Sequence, residues 1–171
     1  MGSVEVGYTY GLYGTPTTME LAARICQLEG GYRTLITPGG QSAISLINFA
    51  FLELGDHILL PHSVYGPNRK FANEVLRRFG IEVSYYDPLL GRELASLIKQ
   101  NTRLVWCESP GSITMEVQDV SAIADAAHAN GTLVVPDNTW SAGVYFDAFA
   151  HGWTSRCRQL RNTLPDIAIY C

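Results

Sequence analysis

The 171 residues are short of lysine: Lys70 and Lys99 are the two in the chain. Charged residues of all kinds make up only 16%. The net charge of -4 is the wrong sign for a nucleic-acid-binding chain. No apolar run approaches membrane-spanning length, and the N-terminus has no signal-peptide pattern. Four cysteines, Cys26, Cys107, Cys157 and Cys171, show neither metal nor redox spacing, so a reducing, cytoplasmic setting is the expectation. His57, His62, His128 and His151 stand singly, without ligand spacing. There is no internal repeat and no GxGxxG fingerprint, which disfavours dinucleotide binding.

What is present is a hydrophobic share of 47%, enough to bury a core in a chain of one domain's length. Strand-like and helix-like stretches alternate. Leu21, Ile25 and Leu28 recur at helical spacing over 17–28, with Thr17 or Thr18 as cap and Gly30-Gly31 as stop. "YRTLIT" reads as a strand, "QSAISLINFAFLEL" as a helix closed by Gly55, and "HILL" as a short buried strand. Pro67 starts a helix through "FANEVLRRF" that Gly80 closes. "IEVSYY" follows as a strand, "RELASLIKQ" as a helix, "TRLVWCE" as a strand, "DVSAIADAAHAN" as a helix capped by Asp119 or Ser121, and "TLVVP" as a strand. Five such alternations predict an α/β fold with parallel strands covered by helices on both faces.

In such sheets ligands bind outside the carboxyl ends of the strands. The residues there are Gly39-Gly40-Gln41-Ser42, Tyr65, Glu108-Ser109-Pro110 and Asp137-Asn138-Thr139. The glycines of "TPGGQSAIS" either cradle a phosphate at a helix start or simply make a tight turn. Asp137 either pairs with a cationic ring nitrogen or caps a turn. Tyr65 either stacks on a flat cofactor or is an ordinary rim aromatic. Cys107 lacks an evident His partner and reads as a buried thiol.

Taken together, "YGLYGTPT", "LEGG", "TPGGQSAIS", "SVYGP", "DPLLG", "ESPGSITMEVQDV" and "DNTWSAGVYF" occur in an order and spacing that resemble the pyridoxal-phosphate enzymes of cysteine and methionine metabolism. The resemblance covers 8–152. It implies the aspartate-aminotransferase-like fold (fold type I), a large domain built on a mostly parallel sheet. It implies pyridoxal 5'-phosphate as cofactor and a sulfur amino acid as substrate, with cleavage of cystathionine to homocysteine, pyruvate and ammonia the activity most resembled. The implied roles are these. Backbone N–H groups of Gly40 and Gln41 hold the phosphate, Tyr65 stacks on the pyridine ring, and Asp137 pairs with the ring nitrogen. Tyr10 reaches the phosphate of a neighbouring subunit in a homotetramer. The family often has an Arg two residues after that tyrosine; this chain has Leu12.

The reaction also needs a lysine that holds the cofactor as a Schiff base and moves the α-proton. It belongs after "DNTWSAG", where this chain has "RCRQLRNTLPDIAIY". The charge changes there too: 1–152 hold nine Lys and Arg against fifteen Asp and Glu, whereas 153–171 hold three Arg against one Asp. Back-translated and read one nucleotide earlier, the tail can encode "VDVSMQATAKYVAGHSDIL". Trp153-Thr154 forces Asp, Arg161-Asn162 permits Lys, and Asn162-Thr163 permits only Tyr or His. That resembles the missing lysine segment, with the lysine at the Asn162 position. The expected organisation is an N-terminal subunit-contact arm at 1–16, a partial cofactor domain at 17–152 and an out-of-frame tail at 153–171. Other branches of the family, and a non-catalytic protein that pairs with full-length subunits, are the alternatives.

Overall fold

A computed structural model describes residues 10–140 and the strand at 168–170. Four strands form one parallel sheet in the order β3-β2-β4-β5: β2 (His57–Pro61), β3 (Glu82–Tyr86), β4 (Thr102–Glu108) and β5 (Leu133–Asp137). Between them run α3 (Gly66–Glu74), 3₁₀ turns at Leu76–Phe79 and Gly91–Leu97, and α4 (Val120–His128). Ahead of the sheet come α1 (Pro16–Glu29), β1 (Leu35–Thr37) and α2 (Gly40–Phe51).

All five residues of β2 are buried, as a strand covered on both faces requires. The two-residue period sorts side chains between two cores. On one face Ile58, Leu60, Leu104, Trp106 and Val135 share a core with Ala43, Ile44 and Ile47 of α2 and with Ala72 and Leu76. On the other face Leu59, Val105, Cys107 and Val134 meet Leu94 and the Ile123, Ala124 and Ala127 stripe of α4. The alternating pattern thus folds as a parallel α/β layer.

Several details depart from the sequence expectations. β1 is not a member of the parallel sheet. It pairs antiparallel with β6 (Ala168–Tyr170), Leu35 opposite Tyr170. A strand has two edges, and those of β2 are taken by β3 and β4. α1 starts a residue earlier than expected, because Thr15 rather than Thr17 or Thr18 is the cap: Thr15 and Thr18 exchange side-chain and backbone bonds in a capping box. Ile25 of its apolar set is buried, but Leu28 is exposed. α2 stops at Phe51, before Gly55. The helix expected to run to Gly80 breaks after Glu74 into a 3₁₀ turn, where Leu76 is buried and Arg77 Nη2 donates to Val83 O at 2.8 Å. "RELASLIKQ" is also 3₁₀, and Ser96 Oγ donates to Glu93 O three residues back. The cap of α4 is Asp119, which accepts from Ala122 N.

Candidate active site

Parallel strands all end on one edge, so the segments leaving β2, β4 and β5 meet there. Glu108 ends β4 and Asp137 ends β5, and the two are register partners. Tyr65 follows β2 by four residues and stands at the N-cap of α3. Its backbone N–H donates to Glu108 Oε2 at 2.7 Å. Tyr65, Glu108 and Asp137 are therefore one group, although they lie far apart in sequence.

Burial acts on both carboxyls, and Asp137 acts on Glu108. Glu108 is 4% exposed. Burial first, and the neighbouring Asp137 charge second, raise its pKa to about 8, while the N–H groups of Tyr65 and Ser112 pull against the rise. Burial also raises Asp137, opposed by hydrogen bonds from Thr139. Asp137 Oδ1 accepts from Thr139 N at 3.1 Å and from Thr139 Oγ1 at 2.5 Å. The ion pairs among the described residues, Arg24–Glu20, Lys70–Glu74 and Lys99–Glu82, all lie elsewhere. With no cationic side chain paired to it among the described residues, this carboxyl pair is compatible with a site that receives a cationic ring nitrogen.

Gly40 and Gln41 open α2, which packs on the same sheet face as Tyr65. The N-cap residue Gly39 has no side chain to satisfy the first turn, and Ala43 N donates to Gly39 O. Helix geometry leaves the N–H groups of Gly40, Gln41 and Ser42 without intrahelical acceptors, with the positive end of the dipole beside them. Ser63 Oγ, a hydroxyl that can donate, is buried without a partner among the described residues. These features suit an anionic group of the phosphate class. Tyr10, ahead of a short 3₁₀ turn at Gly11–Tyr13, is 66% exposed. The structure brings Tyr65 and Asp137 together through Glu108, and it leaves Tyr10 at the surface. The Asn162 position lies outside the described residues, as does His151.

The other candidates have structural surroundings. Cys107 is buried against Tyr86, and burial lifts its thiol to about 12, so it is no nucleophile. His57 is buried at the amino edge, opposite to the site, with Nδ1 2.7 Å from Thr102 Oγ1. His62 stacks on Tyr85. Sequence reasoning placed Glu108 at the right edge but gave it no role, and it missed Gln118 altogether. Gln118 is 4% exposed and its Oε1 accepts from Glu108 N at 2.9 Å. A buried amide ten residues from its partner leaves no periodic signal. Among the described residues no helix is long and apolar enough to cross a membrane.

Comparison with known proteins identifies the family and the fold. The chain is 42% identical to the cystathionine beta-lyase of Haemophilus influenzae over 83% of its own length and 36% of that protein. It is 41% identical to the cystathionine beta-lyase MetC of Escherichia coli over 84% of its length and 37% of that protein. The solved structure of metB from Corynebacterium glutamicum superposes with a TM-score of 0.91 at 24% identity, covering 98% of this chain and 45% of that one, and so shares the fold. The chain thus spans little more than a third of the length of these curated relatives. The model of the Cys/Met metabolism PLP-dependent enzymes matches 2–154, and the chain belongs to that family, whose cofactor is pyridoxal phosphate.

Proposed function

We propose that the chain carries the cofactor-ring side of a carbon–sulfur lyase site of the cystathionine beta-lyase kind, acting on a sulfur amino acid of the cystathionine class. The observation that carries this reading is the Glu108–Asp137 carboxyl pair beside Tyr65 at the carboxyl edge. When bound, pyridoxal phosphate supplies an electron sink for the substrate's α-carbon. Asp137 would hold the ring nitrogen protonated, Tyr65 would cover one face of the ring, and Gly40 and Gln41 would hold the phosphate by backbone N–H groups. Tyr10, on the exposed N-terminal segment, would reach the phosphate of a second copy in a homo-oligomer.

The covalent and proton-moving work falls to a lysine that this chain does not have at the Asn162 position. The reading therefore includes a loss of turnover in this polypeptide, with 153–171 as an out-of-frame tail after the cofactor domain at 17–152. Asp137→Asn tests the site. Titration with pyridoxal phosphate should show at least about tenfold weaker binding for the variant, the scale of one lost charge-assisted hydrogen bond. Equal affinity would remove Asp137 from the site.

Methionine gamma-lyase, cystathionine gamma-lyase and cystathionine gamma-synthase are the alternatives within the family. The loop "ESPGSITMEV" and the names of the relatives favour the beta-lyase. A non-catalytic role, pairing with full-length subunits, is compatible with the same cofactor domain. The coding DNA separates it: a lysine-containing frame that stays open past the Cys171 codon supports the enzyme reading.

A further inference from the structure

A carboxyl is a costly group to bury for one backbone N–H, since it must either keep its proton or desolvate a charge, whereas an amide oxygen would accept the same bond with neither cost. Glu108 is nevertheless embedded in a network that fixes it to the loop carrying Tyr65. Its Oε2 accepts from Tyr65 N at 2.7 Å, and its own N–H donates to Gln118 Oε1 at 2.9 Å. Gln118 is held in turn: Nε2 donates to Tyr86 OH at 3.2 Å and the backbone N donates to Ser109 Oγ at 3.0 Å. Tyr86 OH donates onward to Trp106 O at 2.8 Å, back in the same strand as Glu108. A second tie joins the two loops where Ser112 N donates to Ser63 O at 2.9 Å.

Tyr65 O accepts from Arg69 N at 3.0 Å, which ties its carbonyl to α3, while its N–H is held by Glu108. Tyr65 makes no side-chain cap bond to α3, and its φ of -44° and ψ of 126° turn the chain abruptly into the helix. The direction of its Cα–Cβ bond, and hence of its ring, is set where Glu108 grips the peptide N–H. We propose that Glu108, braced by Gln118, is the positioning residue that aims the Tyr65 ring at the cofactor. This rests on the reading of the carboxyl edge as a pyridoxal phosphate site.

The probe is pyridoxine 5'-phosphate, which has the ring and phosphate but no aldehyde to condense with Lys70 or Lys99. Its affinity for the full chain is compared across Glu108→Ala, Glu108→Gln, Tyr65→Ala and the Glu108→Ala/Tyr65→Ala pair. Glu108→Ala should weaken binding about fivefold, the worth of one neutral hydrogen bond. Glu108→Gln keeps an acceptor for Tyr65 N and should recover most of the loss. In the Tyr65→Ala background, removing Glu108 should change affinity less than about twofold, because a residue that acts through Tyr65 has nothing left to aim. Fully additive losses, or no rescue by Gln, would overturn the proposal. A second readout needs no ligand: hydrogen exchange at the Tyr65 amide should speed at least about tenfold in Glu108→Ala and stay slow in Glu108→Gln. Unchanged exchange would overturn the positioning role even with the site intact. Failure of the unaltered chain to bind the probe at all would instead overturn the cofactor-site reading, and the proposal with it.

Discussion

Glu108 and Asp137 are register partners at the ends of adjacent parallel strands. Each strand delivers its acid to the same edge, so two carboxyls share one dry place and Glu108 is raised to about 8. The sign of the resulting pH dependence is fixed by linkage. Between its ordinary value of 4.5 and about 8, folded Glu108 holds a proton that the unfolded chain has released. Its contribution to stability therefore falls as pH rises through that window and is flat above it. Glu108→Gln removes the dependence. Urea melts should show the variant gaining on the unaltered chain between pH 5 and 8, by on the order of a few kcal/mol. A constant difference across that range would show that Glu108 titrates normally.

His57 should act in the opposite direction. It is fully buried, and burial together with the Lys99 charge lowers its pKa from 6.5, with Glu82 opposing. A lowered histidine gives stability that is present above 6.5 and lost as pH falls from there towards the folded value. His57→Gln offers an uncharged side chain to Thr102 Oγ1 and should flatten the melting-temperature profile below pH 6.5. The chain with His57 should still lose stability in acid over the same range. Parallel profiles would place the acid sensitivity elsewhere.

Gly111 is required by space rather than by backbone angle. A Cβ added there would sit 2.5 Å from Ser63 Cβ and 2.6 Å from Ser63 Oγ. Gly111→Ala must push apart the loops that Ser112 N and Ser63 O hold together, at a cost of about 1–3 kcal/mol for overpacking. Because the obstacle is the Ser63 side chain, the Gly111→Ala/Ser63→Gly pair should recover stability that Gly111→Ala loses. Chemical denaturation of the four proteins of the cycle measures this. Simple additivity would mean that the clash is relieved in some other way.

The sequence was most legible where local chemistry decides the structure. "TRLVWCE" matches β4 residue for residue, because an apolar run ends there at Ser109-Pro110. Asp119 caps α4 as an Asp before an apolar helix should. Gly30, Gly80 and Gly131 each take positive φ where a helix or turn stops. Tyr65 and Asp137 were placed at the correct edge because both follow recognisable strands. The Tyr65–Glu108 bond was not legible, since it joins residues 43 apart with no shared period. Nor was the antiparallel partner of β1, which depends on which sheet edges are already occupied. The cap of α1 was misplaced because three nearby threonines, Thr15, Thr17 and Thr18, offer the same chemistry, and geometry chose the one with Pro16 after it.

Neither lysine of this chain is placed to serve the carboxyl-edge site. Lys70 lies on the outer side of α3, its side chain 73% exposed and set 4.0 Å from Glu74. Lys99 pairs with Glu82 and gives its backbone N–H to Thr102 Oγ1, at the amino edge of the sheet. From there to Glu108 is the full length of β4, about 20 Å at the rise of a strand, far more than a lysine side chain spans. Borohydride reduction of the chain with pyridoxal phosphate, followed by peptide mapping, should give at most partial surface labelling and no pyruvate from cystathionine. Loss of general acid–base work alone costs about 10²–10⁴ in rate, before the covalent step is counted. A companion gene with one nucleotide inserted after the Gly152 codon restores the frame that places lysine at the Asn162 position. Its longer product should gain one specific, stoichiometric label and release pyruvate. Stoichiometric labelling of Lys70 or Lys99 with pyruvate release in the original chain would refute the assignment. A frame-restored product with neither label nor activity would remove the main support for reading 153–171 as out of frame.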